Sequence, residues 1–143
     1  MSNRSEREAI RLEAMSLYEK MAISQGYVHI AGIDEVGRGC IAGPVVSAAV
    51  ILPPGELIAG VNDSKKLSPK KRLELSAEIK RRALAWAVAS IFPPYLDSIN
   101  ILNATRETMA MTVGELSPKP DYLLIDALSL PDINIKQQAI IKG

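Results

Sequence analysis

At 143 residues, 48% hydrophobic and 23% charged, the chain has the length and balance of one globular domain and is too apolar for a disordered tail. Its single cysteine, Cys40, excludes an intrachain disulfide. The charged opening MSNRSEREAIRLEAM is unlike a secretory signal, and no apolar run reaches the roughly 20 residues of a membrane span, so a cytoplasmic protein without membrane contact is expected.

In chain order, residues 5–22 read as an amphipathic helix with Ile10, Ala14, Leu17, Tyr18 and Met21 on one stripe, and Gly26 as its C-cap. The run Val28 to Ile33 predicts a strand that stops at Asp34-Glu35. Gly37, Gly39 and Gly43 with Pro44 then predict a bent loop. Val45 to Leu52 is apolar at nearly every position, as a strand buried on both faces would be. Ser68-Pro69 starts a helix that runs to Arg82, with serine as N-cap and proline at the first helical position. Ala83 to Phe92 predicts a third strand with Trp86 in the core. Ser98 to Leu116 predicts one long helix, and Tyr122 to Ile125 a short buried strand that delivers Asp126. Gln138 to Lys142 reads as a fifth strand. Apolar strands interleaved with helices argue for an α/β layer fold whose sheet is covered on both faces. The sequence stops at Lys142-Gly143, just past a strand, and exposed sheet surface is expected there.

Two adjacent carboxylates, Asp34 and Glu35, at the end of a buried strand repel each other unless a positive charge lies between them. A divalent cation resolves that conflict, and Mg²⁺ or Mn²⁺ prefers carboxylate oxygens and water. The alternative is a polar strand end whose acids face water. Gly37, Arg38 and Gly39 follow directly; glycines allow close backbone approach, and their N–H groups can donate to hydroxyl or phosphate oxygens. Asp126 ends a second apolar strand, where α/β folds place their sites, although a loop-starting aspartate is the plainer reading.

Net charge is only +1, yet from Asn62 to Arg82 eight basic residues face three acidic ones, a local excess of five. Asn62-Asp63-Ser64-Lys65-Lys66, leading into a helix, is a natural phosphate-contacting surface, with a solvated loop as the alternative. The phosphate-cradling sequence G-x-x-x-x-G-K-[ST] does not occur. His29, the one histidine, reads as a packed or edge residue, and Cys40 as a small space-filler.

The segments Gly32-Ile33-Asp34-Glu35-Val36-Gly37-Arg38-Gly39 and Ala42-Gly43-Pro44-Val45-Val46 closely resemble the opening motif of bacterial ribonuclease HII, a type-2 ribonuclease H. Asn62 to Ser68, Ile99 to Thr105, Pro120 to Ala127 and Gln137 to Gly143 resemble later segments of that family in the right order, and the resemblance covers Gly26 to Gly143. It implies the ribonuclease H-like fold: a five-stranded mixed sheet, its first three strands antiparallel, flanked by helices. It further implies a linker helix over 1–25 and a catalytic domain over 26–143 whose C-terminal helices lie past the last residue. By the same resemblance Asp34, Glu35 and Asp126 are catalytic metal-binding acids for Mn²⁺ or Mg²⁺, a fourth acid belonging to a following helix. Gly37, Arg38 and Gly39 correspond to the motif that grips the 2′-hydroxyl at an RNA–DNA junction. Asn62, Ser64, Lys65 and Lys142 are candidates for phosphate contacts. Cys40 departs from the proline common at its position.

The expected function is an endoribonuclease that hydrolyses the RNA strand of RNA–DNA hybrids and cuts 5′ of ribonucleotides embedded in duplex DNA, by a two-metal-ion mechanism, as a monomer when full length. The competing expectation is a catalytically impaired fragment that only binds RNA–DNA junctions. A third is a phosphotransferase without a nucleic-acid substrate, which activity on small phosphate esters would reveal.

Overall fold

A left-handed glycine ends the first helix, α1 (17–24). Gly26 has φ +98°, the conformation that a side chain rarely adopts. Around it the Gly26 N–H donates to Ile23 O at 3.0 Å and the Tyr27 N–H to Ala22 O at 3.1 Å. That pair of bonds is the Schellman arrangement, and it satisfies carbonyls that the helix end would otherwise orphan. The expected C-cap is therefore present. The computed structural model describes residues 17–36, 43–53, 69–93, 95–126 and 128–140; within these, Val36, Pro69, Lys71, Arg72, Leu75 and Asp126 are described by their backbone alone.

After α1 come β1 (Ile30–Val36), β2 (Val45–Ile51), α2 (Pro69–Arg82), β3 (Ala85–Ile91), α3 (Tyr95–Ser98), α4 (Ile101–Glu115), β4 (Tyr122–Asp126) and β5 (Lys136–Ile140). The five strands form one mixed sheet in the order β3-β2-β1-β4-β5. β2 pairs antiparallel with both β1 and β3, whereas β4 runs parallel to β1 and β5 parallel to β4. This is the mixed sheet, with its first three strands antiparallel, that the family resemblance implies.

Strand alternation splits the core into two layers. On one face Ala31, Ile33, Ala49, Ile51, Ala85, Ala87, Leu123 and Ile125 meet Met109 and Val113 of α4. On the other, Ile30, Tyr122, Leu124 and Ile140 meet Ala22 of α1, with Tyr18, Ile23 and Tyr27 around it. Fully buried side chains such as Ile51, Met109, Leu123 and Ile125 each contribute about 1.5–3 kcal/mol of transfer free energy.

Several elements differ from expectation. β1 does not stop before Asp34-Glu35 but carries both acids within its paired length, to Val36. β2 is buried at alternate residues only, because α4 covers one of its faces while its other face is half-buried. Trp86 is not a core residue: it is 45% exposed, and the Lys80 Nζ sits 4.5 Å from the centre of its ring. The inward positions of β3 are instead the alanines 85, 87 and 89, whose small size lets α4 lie close. The expected helix from Ser98 to Leu116 is present as α4, but it starts three residues later, at Ile101, with the short α3 before it. Asn100 sets that start, its backbone extended (φ −78°, ψ 164°) and its side chain accepting the Asn103 N–H at 2.8 Å, an N-cap for α4. β5 begins two residues earlier than expected, at Lys136, and Lys142 and Gly143 lie outside the described residues.

Candidate metal centre

The two central strands, β1 and β4, are parallel and pair from Ile30↔Tyr122 to Ile33↔Ile125. Asp34 and Asp126 each stand one residue beyond the last pair. Neighbouring strands lie roughly 4.8 Å apart, so the two acids occupy adjacent backbone positions at the carboxyl ends of the central strands. The cause is legible in the residues: Ile33 and Ile125 are buried on the α4 side, which fixes both registers, and each strand turns polar at the next residue.

Asp34 and Glu35 are both half-buried. The Glu35 N–H donates to Asp34 Oδ1 at 2.8 Å, so one oxygen of the Asp34 carboxylate is oriented by the backbone of its neighbour. Glu35 pairs with Ser47 across β2 and, by the pleat, stands on the α4 face, whereas Asp34 has the parity of Ile30 and Gly32. The two acids therefore flank the end of β1 from opposite pleats. A side chain at Gly32, the neighbour of Asp34 on this face of β1, would meet nothing within 4 Å among the described residues.

Among the described residues the donors at the end of β1 are the carboxylates of Asp34 and Glu35, the hard oxygen ligands that Mg²⁺ and Mn²⁺ take. That chemistry fits a divalent ion. Among the described residues no group of three or more His, Cys, Asp or Glu side chains is gathered closely enough to hold a metal. Gly37, Arg38, Gly39 and Cys40, the Asn62, Ser64 and Lys65 segment, and Lys142 lie outside the described residues. His29 is at the opposite end of β1 from the acids; its backbone N–H donates to Asp121 Oδ1 at 2.8 Å.

Three polar groups behind the strand ends carry no motif that singles them out in the sequence. Asp121 accepts the N–H groups of Val28 and His29, locking the starts of β1 and β4 together. Ser47, opposite Glu35, meets the Thr108 hydroxyl at 2.6 Å, a buried polar bond that ties β2 to α4. Gln137, in β5, spends its whole amide on the chain that follows Asp126. The signal for each is only a polar residue in or beside an apolar run.

A protein-family model described as ribonuclease HII matches residues 31–143. Ribonuclease HII of Syntrophomonas wolfei is 57% identical over 136 residues, which are 95% of this chain and 53% of that protein. Among solved structures, a PCNA complex of ribonuclease HII from Archaeoglobus fulgidus aligns with TM-score 0.65 at 29% identity, covering 80% of this chain and 63% of that one. A ribonuclease HIII in complex with Mn²⁺ shares the fold, with TM-score 0.58 at 21% identity over 80% of this chain and 44% of that one. The chain spans about half the length of the first of the curated relatives it matches.

Proposed function

The chain belongs to the ribonuclease HII family, and from that premise we propose that it carries metal-binding acids of an endoribonuclease acting on RNA–DNA hybrids and on ribonucleotides embedded in duplex DNA. The observation that carries the reading is the β1–β4 register, which brings Asp34 and Asp126 to adjacent positions at the carboxyl ends of two parallel central strands. Asp34, Glu35 and Asp126 would hold Mn²⁺ or Mg²⁺. Such ions supply Lewis acidity and charge neutralisation at the scissile phosphate.

The chain's own residues do the rest. The Glu35 N–H holds the Asp34 carboxylate in one orientation, which lowers the cost of ordering it on binding. Gly37, Arg38 and Gly39 would present backbone donors to the 2′-hydroxyl, the one group that separates a ribonucleotide from its DNA neighbours. Asn62, Ser64, Lys65 and Lys142 would hold phosphates on either side and so fix register without reading sequence.

The test is a cleavage assay on a DNA duplex with one ribonucleotide, in Mn²⁺ and in Mg²⁺, for the parent, Asp34→Asn and Asp126→Asn. Metal-dependent cutting 5′ of the ribonucleotide, lost in both variants, is the expected result. Binding of the duplex without cutting would support the junction-binding reading instead, and no preference for it over plain DNA would remove both.

A further inference from the structure

The strand that carries Asp126 is joined to β5 by a short parallel crossover, with no helix among its described residues, 128–135. Parallel strands are usually joined by a dozen or more residues, commonly including a helix that satisfies its own backbone. A shorter, irregular connection must find other partners for its buried N–H and C=O groups. Here a turn bond from the Ile133 N–H to Leu130 O at 3.1 Å and one side chain supply them. Gln137 Oε1 accepts the Leu130 N–H at 2.7 Å, and Gln137 Nε2 faces Leu130 O at 3.0 Å, Ile135 O at 3.2 Å and Ile133 O at 3.3 Å. With two hydrogens for three carbonyls, the amide nitrogen shares at least one of them. Both backbone groups of Leu130 are engaged, as a paired strand would engage them.

Leu130 is buried in the same core cluster as Leu123 and Ile125 of β4. Asp126 thus lies between two fixed points. Upstream, Ile125 is buried and paired with Ile33 and Ala139. Downstream, Leu130 is fixed by packing and by Gln137. Three residues separate Asp126 from that second anchor, so a change in the grip on Leu130 reaches the acid through a short length of backbone.

We propose that Gln137 is a positioning residue for the acid site: it anchors the crossover at Leu130 and thereby holds the backbone at Asp126 in the place a divalent ion requires. This rests on the reading of Asp126 as a metal ligand. It needs no contact between Gln137 and the ion or the nucleic acid.

The experiment measures Mn²⁺ affinity of the full chain from the free-ion electron paramagnetic resonance signal, with amide exchange at Leu130 and thermal unfolding alongside. Gln137→Ala should speed exchange at Leu130 and weaken Mn²⁺ binding roughly tenfold, the scale of losing a group that orients a ligand. Gln137→Glu keeps the size and the acceptor but loses the amide donors, and should move both readouts the same way. Val113→Ala, a core truncation in α4, should lower the melting temperature without weakening Mn²⁺ binding more than about twofold, since it changes packing and not the crossover. Equal losses of Mn²⁺ affinity in Val113→Ala and the Gln137 variants would overturn the positioning role. Parent-like affinity in both Gln137 variants, with Asp126→Asn losing Mn²⁺, would overturn it while leaving the functional reading intact. A parent chain that binds no Mn²⁺ would overturn both.

Discussion

His29 and Asp121 hold each other twice: the His29 N–H donates to Asp121 Oδ1 at 2.8 Å, and the Asp121 N–H donates to His29 O at 2.9 Å. The same carboxylate takes the Val28 N–H at 3.0 Å. These bonds join the starts of β1 and β4 at the end of the strands away from the acids, and they set the register that brings Asp34 beside Asp126.

Asp121→Ala should therefore destabilise although its side chain is exposed. It removes charge-assisted acceptors from two backbone donors, for a cost of about 2 kcal/mol, tempered by the water that replaces them. Urea unfolding gives the value. A change under about 0.5 kcal/mol, the usual scale of a surface substitution, would show that water serves these N–H groups equally well.

Ser47 and Thr108 should respond unequally to truncation. The Thr108 hydroxyl donates to Thr105 O at 2.9 Å, so the hydrogen between the two hydroxyls belongs to Ser47. Thr108→Val strands that buried donor and should cost about 1–3 kcal/mol, whereas Ser47→Ala leaves only a spare lone pair and should cost less. The double variant should recover part of the loss. A double-mutant cycle in urea measures the coupling, and additive losses would contradict it.

Trp86→Ala should be mild. Burial in a core would make the loss about 3–5 kcal/mol, but with the ring 45% exposed and Lys80 over it, a loss of about 1 kcal/mol is expected from the cation–π contact and partial packing. Because Trp86 is the one tryptophan of the chain, its emission also reports on this site alone, and it should be red-shifted as a solvated indole is.

Alkaline pH should weaken the fold through tyrosines. Burial, with Tyr27 and Tyr18 nearby, raises the Tyr122 hydroxyl above its ordinary value of 10.0; a hydrogen bond to Glu107, with that residue's charge, does the same for Tyr95. A phenol that keeps its proton longer when folded contributes stability below its unfolded pKa, and that contribution is lost as pH rises through the folded value. Stability should hold to about pH 9 and fall beyond about pH 10. Tyr122→Phe should flatten the fall more than Tyr95→Phe, whose exposed hydroxyl is screened by water. Urea midpoints across that range decide it.

The α/β class and most strands were readable from the apolar runs, and the mixed sheet from the family resemblance, whereas the strand order β3-β2-β1-β4-β5 came from the structure alone. What escaped was which face of a strand is buried. In β3 the alternation sets Ala85, Ala87 and Ala89 against Trp86 and Val88, and hydrophobicity favours the larger residues as core. The sheet buries the alanines because a close-packed helix needs small partners, a tertiary demand invisible in β3 alone. Asn100 corrected only the start of α4, an N-cap residue two positions past the expected first helical residue. Gln137 and Asp121 could not be assigned roles, since their partners are backbone groups of distant segments. At the site, the acids were legible as types, while their arrangement followed only from register.

The last prediction separates what Asp34 does for the fold from what it does for a metal. Asp34→Asn keeps an oxygen where Oδ1 accepts the Glu35 N–H at 2.8 Å, but removes the charge. If the carboxylate serves the backbone alone, the variant should behave as the parent in every assay. If it is a ligand, stability should stay within about 0.5 kcal/mol of the parent, as for a near-isosteric change. Mn²⁺ affinity should meanwhile fall by more than the roughly 10–100-fold of an outer-shell change, because a hard cation loses an anionic oxygen. Asp34→Ala, which also removes the acceptor, should add a stability loss of about 1 kcal/mol without a further loss of metal. The two variants together set the fold's use of the oxygen against the ion's use of the charge. Parent-like Mn²⁺ binding in Asp34→Asn, measured beside unchanged urea unfolding, would place the metal elsewhere and leave Asp34 as a strand-end acceptor.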